Sequence, residues 1–205
     1  MVLGFTRDSL LGLFGLNLPV FALEIVDIVI ISLALGYIFK DLFRKPEPVE
    51  YDPLAYYRNQ SWNNFKFALM VTAPAVVLHE LGHKIVAMAF GIPSQLYASY
   101  GFLLLGVALR ALGSPFLFFV PGFVAHAPAP AGVSILISLA GPFVNLCIWL
   151  ASSALVKYTK LETKYKQILI VTGKVNMFLF IFNMIPVPPF DGAAVWNIPA
   201  VLNIL

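Results

Sequence analysis

Four long apolar runs, set apart by polar or proline-broken stretches, give this chain its pattern. They extend from about Pro19 to Phe39, Phe65 to Phe90, Gly132 to Val156, and from near Ile168 to Asn183. The first three are long enough, at about 1.5 Å per residue, to cross a hydrocarbon core, and each run is predicted to be a spanning helix. Lys40 to Asn64, with Pro46, Pro48, Pro53 and charges of both signs, reads as an exposed loop, and Lys157 to Gln167 as a short basic one. Residues 1–18 read as a segment along the membrane interface. The final stretch, from Ala193 on, contains Pro199 and is too short for a crossing. Gly91 to Pro130 follows no helical pattern, because Gly and Pro recur through it. Its strand-like runs, Gln95 to Tyr100 and Phe116 to Val120, predict a membrane-dipping loop with short β-strands. Irregular backbone at that depth needs protein or a water-filled cavity beside it. A free strand edge there can also receive an extended peptide. The expected fold is an all-α polytopic membrane protein of about four transmembrane helices, with that loop between the second and third.

Composition agrees with the pattern. Of 205 residues, 60% are hydrophobic and 11% charged, against about 25% charged in soluble domains. A net charge of +3 from 13 dispersed Lys and Arg excludes a nucleic-acid surface. The lone Cys147 excludes an internal disulfide and a cysteine-rich zinc site, and its apolar surroundings predict a small buried hydrophobe. The chain divides into an N-terminal part (1–64), a core (65–192) and a short C-terminal segment (193–205).

Against so apolar a background, each polar group in a span needs a reason. The second run contains His79-Glu80-Leu81-Gly82-His83, an H-E-x-x-H motif. On a helix the two histidines leave the same face one turn apart, so two neutral imidazoles can share a Zn²⁺ ion, with Glu80 as general base for water at the metal. Pro74, five residues before His79, removes a backbone hydrogen bond and predicts a loosened turn that admits water. Two histidines leave such a site short of a third protein ligand. Asp191 is the candidate: it follows Pro186, Pro188 and Pro189, which cannot continue the fourth helix, so the chain unwinds just where this acid appears. Its plainer reading is a turn residue, since Asp-Gly is a common turn pair. Asn145 lies mid-membrane in Gly141-Pro142-Phe143-Val144-Asn145, where packing alone explains the glycine and the amide can serve either structure or the site. Glu24 and Asp27 share a face in the first two turns of the first span, within reach of headgroups or water. His126 stands alone between Ala and Pro and reads as interfacial.

These motifs resemble the site-2 protease family of intramembrane zinc metalloproteases. That family combines H-E-x-x-H in one span with N-x-x-P-x-P-x-x-D-G at the end of a later one, here Asn183 to Gly192 with Pro186, Pro188 and Asp191 in place. The Gly141 to Asn145 run is similar to a feature of its intervening helix. The resemblance covers about Phe65 to Gly192 and departs at Phe190, where the family usually has Leu, and in the brevity of the chain beyond Gly192. It implies one zinc ion held by His79, His83 and Asp191 with water as fourth ligand, Glu80 as general base, and Asn183, with Asn145, as substrate-binding or oxyanion residues. The implied substrates are transmembrane helices of other proteins, cut within the bilayer, as in regulated intramembrane proteolysis.

Sidedness is contested. Lys40, Arg44, Lys45 and Arg58 in the first loop, with Lys157, Lys160, Lys164 and Lys166 in the third, place both loops inside by charge. The family instead puts the active site nearer the cytosolic side of the membrane, the cell membrane in a prokaryote, and that placement is the expectation adopted. The competing readings are a membrane zinc transporter, which needs no base beside the histidine, and a zinc-binding scaffold that holds helices without cutting them. The expected partners are a transmembrane protein substrate and the lipid bilayer. Oligomeric state is not legible.

Overall fold

A computed structural model describes residues 19–43 and 53–196. Helices α1 (Val20–Phe39) and α2 (Pro53–Ala89) are followed by strand β1 (Ser94–Ala98), helix α3 (Tyr100–Ala111) and strand β2 (Gly122–His126). Helices α4 (Ala131–Tyr158), α5 (Thr163–Asn183) and the single turn α6 (Gly192–Val195) complete the order. Among the described residues, four helices are long and apolar enough to cross a membrane: α1, residues Gln60–Ala89 of α2, α4 and α5. The polytopic all-α architecture expected from the hydrophobic pattern is therefore present, with one small antiparallel two-stranded sheet between the second and third of these helices.

The chain forms two compact units. One takes the residues up to Pro74 together with Tyr97–Phe123, and the other takes Ala75–Leu96 and the residues from Val124 on. In the first unit, α1 buries a stripe at helical spacing, Asp27, Ile31, Leu35 and Ile38, while Phe21, Ile25, Val29 and Leu33 face outward. Apolar side chains on the outside cost little when the surroundings are lipid. A Cβ at Gly36 would come within 2.9 Å of the Phe65 ring, so the glycine lets α1 approach the first half of α2. In the second unit, α4 packs along α5 and the turn α6. There the second half of α2 buries Ala75, Val76, His79, Glu80, His83 and Ala87.

Several boundaries differ from those expected. Helix α2 begins at Pro53 rather than near Phe65: proline suits a first helical turn, and no breaker stands between it and Pro74, so the polarity of 53–64 belongs to a helix and not a loop. Helix α5 likewise starts at Thr163, within the expected basic loop, because Lys164 and Lys166 lie in its solvated first turns, outside the apolar run. Between the strands lies α3 where irregular chain was expected. Its Gly106 looks like a breaker but serves contact, since a Cβ there would collide with the Phe118 carbonyl. Strand β1 overlaps the expected run of Gln95 to Tyr100 but starts one residue earlier and ends at Ala98. The second strand is Gly122–His126 and not Phe116–Val120, whose backbone instead lies against α3 while Phe119 meets Phe39 edge-on at 4.9 Å. Hydrogen bonds from Ser99 N–H to the Pro121 carbonyl (3.1 Å) and from Ala127 N–H to the Pro93 carbonyl (3.1 Å) fix the antiparallel register. Cys147 is exposed on α4, not buried, as an apolar side chain can be on a surface that faces lipid. The expected interfacial segment 1–18 and most of the C-terminal segment lie outside the described residues.

Candidate metal centre

All of the following side chains belong to the second unit. His79 and His83, one turn apart on α2, are 6% exposed each, and Glu80 is 5% exposed. The Nδ1 of His83 lies 2.7 Å from the Ile137 carbonyl of α4. A carbonyl only accepts, so Nδ1 carries the proton and Nε2 is left with its lone pair. The Nδ1 of His79 lies 2.6 Å from Oδ1 of Asn145. Here the amide orientation decides the tautomer. The Asn145 Nδ2 donates to the Ala75 carbonyl (3.1 Å) and to Oδ1 of Asn176 (2.8 Å). Turning the amide over would set its oxygen against those two acceptors. Oδ1 of Asn145 therefore faces His79, which donates from Nδ1 and also presents a bare Nε2.

Asp191 reaches the same point from a different part of the chain. After Asn183, backbone bonds from Val187 N–H to the Ile185 carbonyl (2.8 Å) and from Phe190 N–H to the Val187 carbonyl (3.1 Å) close a compact turn. The Phe190 ring meets Phe182 edge-on at 4.5 Å, so the aromatic side chain that departs from the family pattern is anchored on α5. The Trp196 indole N–H donates to the Met184 carbonyl at 2.9 Å. Gly192 is required by this folding back: a Cβ there would stand 2.5 Å from the Met184 and Ile185 carbonyl oxygens. The turn places Oδ2 of Asp191 3.1 Å from His79 Nε2 and 3.4 Å from His83 Nε2. A carboxylate only accepts, so Asp191 brings lone pairs and no hydrogen to this point.

The two Nε2 atoms are 3.1 Å apart. With both rings neutral and protonated at Nδ1, three lone-pair-bearing atoms converge, an arrangement that suits a shared cation. Their separations of 3.1, 3.1 and 3.4 Å suit ligands of one tetrahedral Zn²⁺, which at about 2.05 Å from the metal stand roughly 3.3 Å from each other. The donor set fits the metal. Gly141 preserves the space: a Cβ on it would lie 2.7 Å from His79 Nε2 and would collide with His83 Nε2. From sequence, packing was enough to explain this glycine; the structure sets it directly against the cluster.

The remaining candidates fall into two groups. Asn145 has no exposed surface, and its amide is fully engaged behind His79. Asn183, the last residue of α5, is partly exposed, and its side chain makes no hydrogen bond to another described residue. His126 is exposed and lies 2.8 Å from the Ala127 carbonyl, outside the cluster. Asn176 is the site neighbour that sequence reasoning missed. It sits mid-helix with no motif around it, and its one available signal was an amide in an apolar span.

A protein of Methanocaldococcus jannaschii named "putative zinc metalloprotease" is 32% identical to this chain over 182 residues, covering 85% of the chain and 84% of the relative. One of Synechocystis with the same description is 29% identical over 136 residues, covering 64% of this chain and 31% of that longer protein. No protein-family model matches the chain, and no solved structure matches it significantly. Likeness of the first kind, extending over most of both sequences, makes this protein a member of the same family, the zinc metalloproteases.

Proposed function

We propose that the chain is an intramembrane zinc metalloprotease of the site-2 type, hydrolysing peptide bonds within transmembrane helices of other membrane proteins. The observation that carries this reading is the meeting of His79, His83 and Asp191, their ligand atoms all within 4.8 Å of one another, the histidines on a helix apolar enough to lie in a bilayer and the acid on the turn that follows another. In it, His79 and His83 would hold one zinc ion through Nε2 and Asp191 would hold it through a carboxylate oxygen. A bound zinc supplies a Lewis acid and brings the pKa of water at the site towards neutrality.

Glu80, buried next to His79 on α2, takes the proton from the attacking water and returns it to the leaving amine nitrogen. In this reading the partly exposed amide of Asn183 holds the substrate backbone. An unwound segment of substrate is expected to pair with an edge of the β1–β2 sheet, whose main-chain groups can hold an extended peptide. An apolar groove of about 440 Å³, lined by residues of α2 and α4 including Gly82, Ile85, Ala140 and Phe143, runs beside the histidine helix and suits a membrane setting for the substrate. The site is taken to lie nearer the cytosolic side of a multi-pass protein, as the family resemblance implies.

The test is cleavage of detergent-solubilised transmembrane peptides by wild type and Glu80→Gln, with zinc measured in both. The expected result is equal zinc and a loss of cleavage of about 10²–10⁴-fold, the usual contribution of a general base. Retained cleavage in the variant would remove Glu80 from the chemistry. A wild type that never cuts but passes zinc across liposomes would make the protein a transporter.

A further inference from the structure

We infer that Asn176 is a positioning residue for the metal centre, acting through Asn145 to keep the Nε2 lone pair of His79 free for the metal. The inference rests on the proposed role of His79 as a ligand. It starts from a problem of chemistry: an asparagine beside a histidine can either accept from it or donate to it, and only the first leaves Nε2 bare. Asn145 has two features that settle the choice, the Ala75 carbonyl at 3.1 Å and Oδ1 of Asn176 at 2.8 Å. The second is the shorter bond, and it depends in turn on how Asn176 is oriented. That orientation is set by the backbone, since Nδ2 of Asn176 donates to the Thr172 carbonyl one turn earlier on α5, at 2.8 Å.

A directed series results: backbone carbonyl of α5, Asn176, Asn145, His79. Asn145 and Asn176 are both 0% exposed, so water cannot take over a missing partner. A leucine at 176 would leave one Nδ2 hydrogen of Asn145 buried without an acceptor, and the amide would then be held by Ala75 alone. The arrangement also ties two ligands to one helix. Helix α5 leads directly into the turn that carries Asp191, and through Asn176 it also sets the proton position on His79. A shift of α5 along its axis would move the carboxylate and release the imidazole together.

The experiment compares zinc affinity, by competition with a chromogenic chelator, for purified wild type, Asn176→Leu, Asn176→Asp, Asn145→Leu and the Asn145→Leu/Asn176→Leu pair. Thermal unfolding is recorded alongside. Ser152→Val is the packing control: Ser152 is buried at the α4–α5 contact, 3.4 Å from where a Cβ on Gly173 would stand, but takes no part in the series. Asn176→Leu is expected to weaken zinc binding about 10–100-fold, as loss of a ligand's supporting hydrogen bonds does. Asn176→Asp is expected to recover most of it, because a buried neutral carboxyl keeps both the acceptor and the donor. The double variant should bind no more weakly than Asn145→Leu, since both substitutions break one series. Ser152→Val should lower the thermal midpoint while leaving zinc affinity unchanged. Wild-type affinity in Asn176→Leu, or equal effects of Asn176→Leu and Ser152→Val on affinity and unfolding, would overturn the inference while the metal centre stands. A wild type that takes up no zinc would instead overturn the metal reading, and this inference with it.

Discussion

Two regions of this molecule set acidic groups against apolar helices, and they do so to different ends. In the first unit Asp27 of α1 is fully buried and accepts a 2.5 Å hydrogen bond from the Tyr100 hydroxyl at the start of α3. In the second, Asp191 meets two imidazoles whose other nitrogens are already committed to Ile137 and Asn145. The first sets a donor against an acceptor and ties a helix to its neighbour. The second turns three ligand atoms toward one point, an arrangement that suits a shared cation. A polar group among apolar helices therefore marks both regions, and the direction of the lone pairs tells them apart.

Substitutions can break this contrast. The largest effect is expected from Asp191→Ala, which removes a ligand atom outright: zinc should no longer co-purify with the protein, as metal analysis after gel filtration would show. Retention of wild-type zinc would place the third ligand elsewhere. Gly141→Ala adds a methyl group against both Nε2 atoms. Overpacking of about 1–3 kcal/mol on rings that must hold position corresponds to roughly a tenfold to hundredfold loss of zinc affinity, measurable by chelator competition. The smallest effect is expected in the first unit. Tyr100→Phe should cost about 1–3 kcal/mol of stability for the loss of one hydrogen bond to a buried carboxyl group, read as a lower unfolding midpoint, with zinc content unchanged. Zinc lost along with stability would show that the two regions are not independent.

Much of the site was legible because its chemistry is written in spacing. The i, i+4 separation puts His79 and His83 on one face of any helix, whatever surrounds it. Pro186, Pro188 and Pro189 had to end the fourth helix, so Asp191 was bound to fall in a turn. Other features depended on contacts that spacing does not encode. Gly106 within α3 and Gly141 within α4 look alike in sequence, but one meets the Phe118 carbonyl and the other the two histidine rings. Phe116 to Val120 has the composition of a strand yet lies against a helix, because the pairing partner of β1 is chosen by which backbone lies alongside it.

By itself, then, the sequence determined the number of long apolar helices, the two histidines and the acid between them, and the turn that carries Asp191. Each follows from hydrophobic period or backbone restriction, which are properties of neighbouring residues. Only the tertiary structure decided that Asp191 meets the histidines, that Asn145 and Ile137 fix their protons, and that Asn176 stands behind Asn145. Hydrogen-bond direction is settled by partners 31 to 70 residues away in the chain, and no local pattern records which of them fold together.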